Sequence, residues 1–305
     1  MNSVIWAVRK DPHKRLDGRQ QTLGDAMVNG LDLCFSPTAL GWEHAVRPLD
    51  PSLKMISRSR FIFLRLRSMI GWCLLLDFVH RGLCTVVSDS VRSLEGDTIF
   101  DLDLPPASRF LKSTVISILT FISVMGWLQV VSDAWNILCV LVLRVHPRRF
   151  APMFCRPWKS SSLGKFWGHD WHQWTRYTFS HFGGEAIHWV TGSRRVGRVF
   201  GTFLVSGLVH DIGIVKKGAD PLRITMFFLM MGVGVALEGL WTKRTGLKVG
   251  GIIGWLWTVL WMLLWGNILV DGVYRRGLFR TAESMCFFKD WNIRPSKLLD
   301  NFSGM

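Results

Sequence analysis

Ser113–Ser132 reads STVISILTFISVMGWLQVVS, and Val249–Val270 reads VGGIIGWLWTVLWMLLWGNILV. Neither stretch contains a charged residue. About 20 residues of α-helix cross the hydrocarbon core of a bilayer, so each stretch is long enough to span it. The sequence therefore predicts a membrane-spanning helix at each of these two positions.

Further apolar runs exist, but each carries a polar or charged residue or is shorter. They lie near Ser68–Val87, Ala134–Leu143, Val199–Val215 and Ile224–Trp241. Backbone groups within lipid find hydrogen-bond partners inside their own helix, which favours helices as the spanning structure. We expect an all-α, polytopic integral membrane protein with about five to seven transmembrane helices.

The composition argues against a soluble enzyme of two domains. Hydrophobic residues make up 49% of the 305 residues and charged residues 19%, whereas a soluble chain carries about a quarter of its residues as charged ones. Trp is also far more frequent than Tyr, 16 against 2, which is typical of proteins whose indole rings sit at the lipid headgroups. The same hydrophobicity excludes a disordered chain.

The net charge of +15 indicates an anionic partner. The basic residues lie between long apolar runs. This pattern fits contact with anionic lipid or an anionic co-substrate better than it fits a nucleic-acid-binding face. We therefore expect the lipid bilayer as a partner and no nucleic acid.

The first 60 residues contain no long apolar run. They are divided into short pieces by Pro12, Pro37, Pro48 and Pro51. We expect residues 1–60 to form an N-terminal cytosolic arm or surface layer, and residues 61–305 to form the membrane domain.

Ser160–Ser180 reads SSSLGKFWGHDWHQWTRYTFS. A helix from Phe166 onward, with serines capping its start, places an aromatic face opposite a polar one. The aromatic face contains Trp167, Trp171 and Trp174, and the polar face contains His169, His172, Gln173 and Arg176. One interpretation is an interfacial helix with its Trp side chains in lipid and its polar side in water. The other is a functional site built on the polar face.

The second unusual stretch is Ser206-Gly207-Leu208-Val209-His210-Asp211, inside the apolar run Val199–Val215. An ionisable residue within a membrane segment is costly and therefore indicates a function. Ser206 and His210 share a helix face with Gly207, which leaves room beside the imidazole. Asp211 points about 100° away on the same helix, so it is a poor orienting partner for His210. The alternative is a structural histidine bonded to a neighbouring helix.

Metal and covalent-hydrolase chemistry find little support in the sequence. Four of the nine histidines lie between His169 and His188, but none forms a His-His doublet and no carboxylate-rich segment accompanies them. The six cysteines form no close pair. A Gly-x-Ser-x-Gly nucleophile motif is also absent. We expect no metal site.

Together the two stretches resemble the wax-synthase-like branch of the membrane-bound O-acyltransferases. The resemblance is carried by Ser161-Ser162-Leu163, Phe166-Trp167-Gly168, Trp171-His172-Gln173 and Arg176, followed by Ser206-Gly207-Leu208-Val209-His210. It covers roughly residues 145–215. Relatives often have Arg where this chain has Gly164, and the resemblance implies further spans ahead of residue 60, where this sequence has no long apolar run.

The resemblance implies transfer of an acyl group from acyl-CoA to a hydroxyl, with no bound cofactor. Similar fungal chains acetylate alcohols on terpenoids, so we expect acetyl-CoA as co-substrate, a hydrophobic secondary-metabolite alcohol as acceptor, and the endoplasmic reticulum membrane as the location. Long-chain wax or sterol ester synthesis is the alternative acyltransferase. A small membrane transporter and a membrane scaffold are the non-enzyme alternatives.

The resemblance also implies roles for individual residues. His210 is the expected general base, because a neutral imidazole can accept the proton of the alcohol. His172 is expected to assist it, with Gln173, by donating to the oxyanion or orienting the acceptor. Lys165 and Arg176 are expected to bind the phosphates of CoA, and Trp171 and Ser206 to line the substrate site.

Overall fold

The structure is a computed structural model that describes residues 56–172, 174–214 and 222–279. Within these ranges the chain forms helices and turns without a strand, which confirms the predicted all-α fold. The longer helices are α1 (Arg58–Val86), α2 (Pro106–Leu141), α3 (Arg176–Thr191), α4 (Thr202–Gly213), α5 (Arg223–Thr245) and α6 (Gly251–Tyr274). Asp89–Arg92, Leu163–Lys165 and Arg194–Val196 are short α-helical turns, Pro147–Arg149 and Pro157–Lys159 are 3₁₀ turns, and Phe166–Asp170 and Gly197–Gly201 are π turns.

Three of the described helices, α2, α5 and α6, are long and apolar enough to cross a membrane. The expected number of five to seven is not confirmed. The outer surface of these helices is apolar, with exposed side chains that include Leu111, Val131, Leu138, Ile252, Ile253 and Leu260. An apolar exterior of this extent is what lipid contact requires, and the chain is an integral membrane protein.

The helix α2 is longer than the sequence predicts. Ala134–Leu143 was expected to be a separate run after the charged Asp133, but α2 continues without a break to Leu141. The Asp133 carboxylate is fully buried and accepts hydrogen bonds from Arg65 Nη1 of α1 (3.0 Å) and Gln129 Nε2 (2.9 Å). Because its charge is paired inside the α1–α2 contact, the helix does not have to end there.

The run Val199–Val215 does not form a membrane span. Its first residues lie in the π turn Gly197–Gly201, and Thr202–Gly213 forms α4, which has only 12 residues. A helix of that length extends about 18 Å, well short of the hydrocarbon thickness of a bilayer. The segment that carries His210 is therefore a short helix packed among longer ones.

Two buried carboxylates join the end of α4, the start of α5 and the end of α6. Asp211 Oδ2 accepts from the Thr225 backbone N–H (2.8 Å), and Asp211 Oδ1 accepts from Arg276 Nη2 (2.6 Å). Asp271 accepts from Arg223 Nη1 (2.7 Å), Arg275 Nε (2.8 Å), Thr98 Oγ1 (2.7 Å) and the Ile99 backbone N–H (3.0 Å). Each buried charge is thus met by a guanidinium and by neutral donors.

Glycines allow two close backbone approaches around α4. Gly183 of α3 and Gly201 of the π turn touch backbone to backbone, and a Cβ at Gly201 would overlap the Gly183 carbonyl. Gly207 packs against α5, where an added Cβ would lie 2.6 Å from Thr225 Cα. Gly207 therefore makes room for a neighbouring helix, and the expectation that it makes room beside the His210 imidazole is wrong.

The predicted arm over residues 1–60 lies almost entirely outside the described residues. Only positions 56–60 of it are described, and α1 begins among them at Arg58. The proposed boundary between arm and membrane domain stays a prediction.

The glycine contact between α3 and the π turn generates a test of the packing. Gly201→Ala is expected to lower the melting temperature of the detergent-solubilised protein, because overpacking a close contact costs about 1–3 kcal/mol or more. Gly213→Ala is the control, since an added Cβ there meets no atom within 4 Å. Equal melting temperatures for the two variants would contradict the close contact.

Candidate active site

The segment from Leu163 to Thr175 does not form the single helix that its sequence pattern predicts. Ser162 caps a short turn by accepting from the Lys165 backbone N–H (3.0 Å), as expected of the serines. The π turn Phe166–Asp170 follows, and at Trp171 the backbone becomes extended, with ψ 160°. Helix α3 starts only at Arg176. The aromatic and polar faces drawn for one continuous helix are therefore not present.

The carboxylate of Asp170 explains why the helix breaks at this point. It is buried and accepts hydrogen bonds from Ser160 Oγ (2.6 Å), His169 Nδ1 (2.7 Å) and Lys165 Nζ. Burial raises its pKa, but the hydrogen bonds from Lys165, Ser160 and His169 outweigh burial and hold the pKa below its usual range. Asp170 thus fixes the turn that aims Trp171 and the next residue inward.

Glu238 of α5 holds the start of the same segment. Its carboxylate accepts from the backbone N–H groups of Leu163 (2.6 Å) and Gly164 (2.9 Å), and from Trp257 Nε1 of α6 (3.0 Å). A carboxylate at the first N–H groups of a helical turn is a favourable arrangement. Glu238 therefore anchors the start of the Ser160–Ser180 stretch to the helices α5 and α6.

The aromatic side chains of this segment point into the protein, which contradicts the interfacial-helix interpretation. Trp171 is buried; its ring stacks on Phe121 of α2 at 4.9 Å and on Phe166 at 5.6 Å between centroids. Trp167 contacts Phe203 of α4 and Phe228 of α5 at about the same range, 5.8 and 6.0 Å. These ring contacts pack the segment against the surrounding helices.

A cavity of about 1290 Å³ lies beside these aromatic rings. Its wall is built by α1, α2, α4, α5, α6 and the Ser160–Ser180 segment, and most of the wall is apolar. The predicted site residues that line it are Trp171, His172, Ser206 and His210. Since small-molecule pockets commonly measure about 300–1,000 Å³, the cavity has room for two substrates side by side.

His210 is held in one tautomer by its own helix. Its Nδ1 lies 2.7 Å from the Ser206 carbonyl oxygen, and a carbonyl oxygen can only accept a hydrogen bond. Nδ1 therefore carries the proton, and Nε2 presents its lone pair. The ring is exposed to the cavity and lies 4.8 Å from the Phe228 ring. The orienting group is thus the Ser206 backbone. Asp211 bonds to Thr225 and Arg276, which agrees with its predicted poor alignment.

His172 lies on the extended piece between the π turn and α3, and it faces the same cavity. Burial, together with the nearby His210, lowers its pKa from 6.5 to about 4. His172 is therefore neutral at physiological pH. Its Nδ1 is buried and has no hydrogen-bond partner among the described residues. Such an atom is costly to leave unsatisfied unless a ligand meets it.

The remaining predicted residues are placed differently. Lys165 Nζ contacts the Asp170 carboxylate, so its charge is engaged within the protein. Gln173 and the side chain of Arg176 lie outside what the structure describes. Two cations that the sequence analysis did not select, Arg195 and Arg198, line the cavity.

Asp170 and Glu238 were also missed as site-building residues. The signal for Glu238 is its ionisable side chain inside an apolar run, the same signal that selected His210. Asp170 lies among the tryptophans of the quoted segment, but its role depends on the turn. In the described part of the chain no group of three His, Cys, Asp or Glu side chains is arranged to hold a metal ion.

The sequence is similar to those of several known proteins. The chain is 26% identical to the acetyltransferase pyr8 of Aspergillus fumigatus over 251 residues, which cover 72% of this chain and 56% of that protein. It is 25% identical to the O-Mevalon transferase yanI of Aspergillus niger over 272 residues, covering 76% and 57%. It is 26% identical to a putative long-chain-alcohol O-fatty-acyltransferase of Arabidopsis thaliana over 174 residues, covering 54% and 51%.

The chain thus spans about half the length of the curated relatives it matches. Residues 150–230, which contain both imidazole segments, match the model of the membrane bound O-acyl transferase family. The resemblance predicted from the sequence is therefore confirmed: this chain carries the sequence pattern of the membrane-bound O-acyltransferases.

Proposed function

We propose that the protein is an acyl-CoA:alcohol O-acyltransferase. The observation that carries this proposal is the pair of imidazoles, His210 and His172, that line one large and mostly apolar cavity. The names of the relatives, which include acetyltransferases and long-chain-alcohol O-fatty-acyltransferases, support the same reaction class.

His210 is the general base of the proposed reaction. Its Nε2 accepts the proton of the acceptor hydroxyl while the oxygen attacks the thioester carbonyl carbon. The C–S bond then breaks as the tetrahedral intermediate collapses, and the proton on His210 passes to the leaving thiolate. The products are the ester and free CoA. The Ser206 carbonyl accepts from Nδ1–H throughout and so stabilises the imidazolium that forms transiently.

His172 is suited to assist at the oxyanion. A neutral imidazole carries one N–H, and a donor fixed in an apolar cavity stabilises a developing negative charge more strongly than one in water. A pKa of about 4 keeps the His172 ring neutral, so it places no second positive charge beside His210. Gln173 is the adjacent residue in sequence and belongs to the same proposed site.

Arg195 and Arg198 are the better candidates for the phosphates of the acyl donor. Both are exposed and both line the cavity, together with Trp158 and Ser160. Guanidinium groups bind phosphate with two parallel hydrogen bonds. Lys165 is less suited, because its ammonium group neutralises Asp170. Arg176 stays a prediction.

We further propose acetyl-CoA as the donor and a hydrophobic secondary-metabolite alcohol of terpenoid type as the acceptor. The name of the acetyltransferase pyr8 supports the acetyl donor, and that of the O-Mevalon transferase yanI supports the terpenoid class. An apolar cavity among lipid-facing helices allows such an acceptor to enter from the bilayer, where it concentrates. We place the protein in the endoplasmic reticulum membrane. Long-chain ester synthesis is the alternative, and it is tested by replacing acetyl-CoA with palmitoyl-CoA in the microsomal assay described below.

The first activity test addresses the two imidazoles. His210→Ala is expected to lower ester formation by about 10²–10⁴-fold, and His172→Ala to lower kcat by about 10²–10³-fold with a small change in KM. The measurement follows radiolabelled acetyl-CoA in microsomes, with protein amount determined by immunoblot.

His181→Ala is the matched control, because this histidine is exposed on α3 and is not part of the cavity wall. It is expected to behave as the unmodified protein. A loss of less than about tenfold in His210→Ala would show that His210 is not the base.

The low pKa of His172 predicts how stability depends on pH. The unfolded chain takes up a proton on His172 near pH 6.5, but the folded chain does so only near pH 4. Stability from this group is therefore complete above pH 6.5 and decreases as the pH falls towards 4, by roughly 3 kcal/mol at most.

His172→Gln removes the titrating group. The unfolding temperature of this variant in detergent is expected to fall less than that of the unmodified protein as the pH is lowered from about 7 to about 4.5. Parallel pH dependences in the two proteins would mean that His172 is not buried as a neutral ring.

The proposed binding site of the acyl donor is tested by replacing Arg195 and Arg198 and comparing the variants with one at the neighbouring Arg194. Arg195→Ala and Arg198→Ala are each expected to raise the KM for acetyl-CoA about tenfold, since a hydrogen bond to a charged group contributes about 1.5–3 kcal/mol. In these variants the KM for acetyl-CoA should also depend less on salt concentration than it does in the unmodified protein. Arg194→Ala is the control, because Arg194 is exposed but does not line the cavity. An unchanged KM with a lower kcat would exclude phosphate binding.

A further inference from the structure

A second polar patch lies in the cavity wall, separate from the two imidazoles. It consists of Ser117 and Thr120 of α2 and Tyr274 of α6, all of which line the cavity and are at most 9% exposed. The cavity wall also contains apolar residues that include Leu83 and Val270, and the polar side chains of Asp77 and His80 from α1. The mechanism proposed above uses none of the three polar residues.

Ser117 is the unusual member of this patch. Its side chain is 5% exposed, and its Oγ is buried without a hydrogen-bond partner among the described residues. Serine hydroxyls within helices commonly donate to a carbonyl of the preceding turn, as Ser123 does to Leu119 (3.0 Å). A buried hydroxyl that makes no such bond carries a desolvation cost that a ligand can remove.

The neighbouring hydroxyls have defined directions. Thr120 Oγ1 donates its proton to the Ile116 carbonyl (2.8 Å). Its contact with the Tyr274 hydroxyl (2.7 Å) must then be donated by Tyr274, because Thr120 has only one proton. The Tyr274 oxygen keeps lone pairs that can accept from a ligand, and Ser117 has a proton to donate. The patch is therefore suited to bind a hydroxyl group of a ligand, which can accept a hydrogen bond from Ser117 and donate one to Tyr274.

The position of the patch sets it apart from the reacting centre. Ser117 precedes Phe121, which stacks on Trp171, by about one helical turn, or about 6 Å along α2. Met125, which packs in the same cluster as Trp171, lies about 12 Å from Ser117 along the helix axis. Trp171 is the neighbour of His172, and their ring centroids lie 5.4 Å apart. A molecule that reaches from His172 to the patch therefore carries its two oxygens several carbon atoms apart.

We propose that Ser117 and Tyr274 bind a second hydroxyl of the acceptor, so that the acceptor is an oxygenated hydrophobic molecule with at least two hydroxyls. This inference rests on the proposed acyltransferase function and narrows its substrate class. A simple long-chain alcohol leaves the Ser117 hydroxyl unsatisfied, and a diol of suitable length satisfies it. The patch is thus a specificity determinant and takes no part in bond formation.

The experiment uses n-alkanols and the matching α,ω-alkanediols, from hexane to hexadecane derivatives, as acceptors with acetyl-CoA. The full chain in microsomes is expected to show a higher kcat/KM for the diol, by about tenfold at one optimal length. Ser117→Ala should abolish this preference and leave the kcat/KM of the alkanol unchanged or higher. Tyr274→Phe should reduce the preference in the same direction.

Ser123→Ala is the matched control. Ser123 also lines the cavity on α2, but its hydroxyl is satisfied by Leu119, so the diol preference should persist in this variant. A ratio of diol to alkanol that is the same in Ser117→Ala as in the unmodified protein would overturn the proposal. So would the absence of any diol preference in the unmodified protein.

A binding measurement separates this inference from the proposed function. Without acetyl-CoA, the diol is expected to raise the unfolding temperature of the purified protein more than the alkanol does, and Ser117→Ala should remove the difference. If no alcohol is acetylated but this difference is found, the acyltransferase function is wrong and the hydroxyl subsite stands. If acetylation occurs without either diol effect, the subsite is wrong and the acyltransferase function stands.

Discussion

Pairing of buried charge is the constraint on which this structure depends. A carboxylate inside a membrane protein has no water to solvate it, so it must be met by cations or by several N–H and O–H donors. Asp133, Asp211 and Asp271 each meet this requirement by joining two or more helices. Glu238 meets it by binding backbone N–H groups of the Ser160–Ser180 segment and an indole of α6. The polar contacts inside the bundle thus decide which helices are neighbours.

The position of His172 in the proposed active site also depends on a buried carboxylate, in this case one that fixes a turn. Asp170 gathers donors from three side chains, and the chain can satisfy them only by leaving the helix at Trp171. That exit places His172 on extended backbone facing the cavity. His210 reaches the cavity by another route, from a short helix whose own carbonyl fixes its tautomer. Two imidazoles from unlike local structures therefore meet in one apolar chamber, and neither needs a carboxylate partner.

The sequence predicted the class of the fold and selected His210 because both depend on local hydrophobicity, whereas His172 was selected by the resemblance of its segment to the family. Apolar runs of sufficient length marked α2 and α6, and an ionisable side chain in such a run marked His210. The orientation of the aromatic side chains in the Ser160–Ser180 segment was not predictable from helical periodicity. The break depends on donors to Asp170 and on Glu238, which is about 70 residues away in sequence. The partner of Lys165 was unpredictable for the same reason, since that turn places its ammonium group against Asp170.

The two π turns have a consequence for insertions and deletions in this chain. Each π turn holds one residue more than an α-helical turn would, and such single-residue expansions often occur at functional sites. The Gly197–Gly201 turn precedes α4 and absorbs its extra residue within one wide turn. If that residue were lost and the turn became α-helical, α4 would keep its direction and His210 would still face the cavity. Losing one residue inside α4 ahead of His210 would instead rotate the imidazole by about 100°. A related chain can therefore differ by one residue in the length of this turn and keep the proposed base in place, but it cannot differ by one residue within α4.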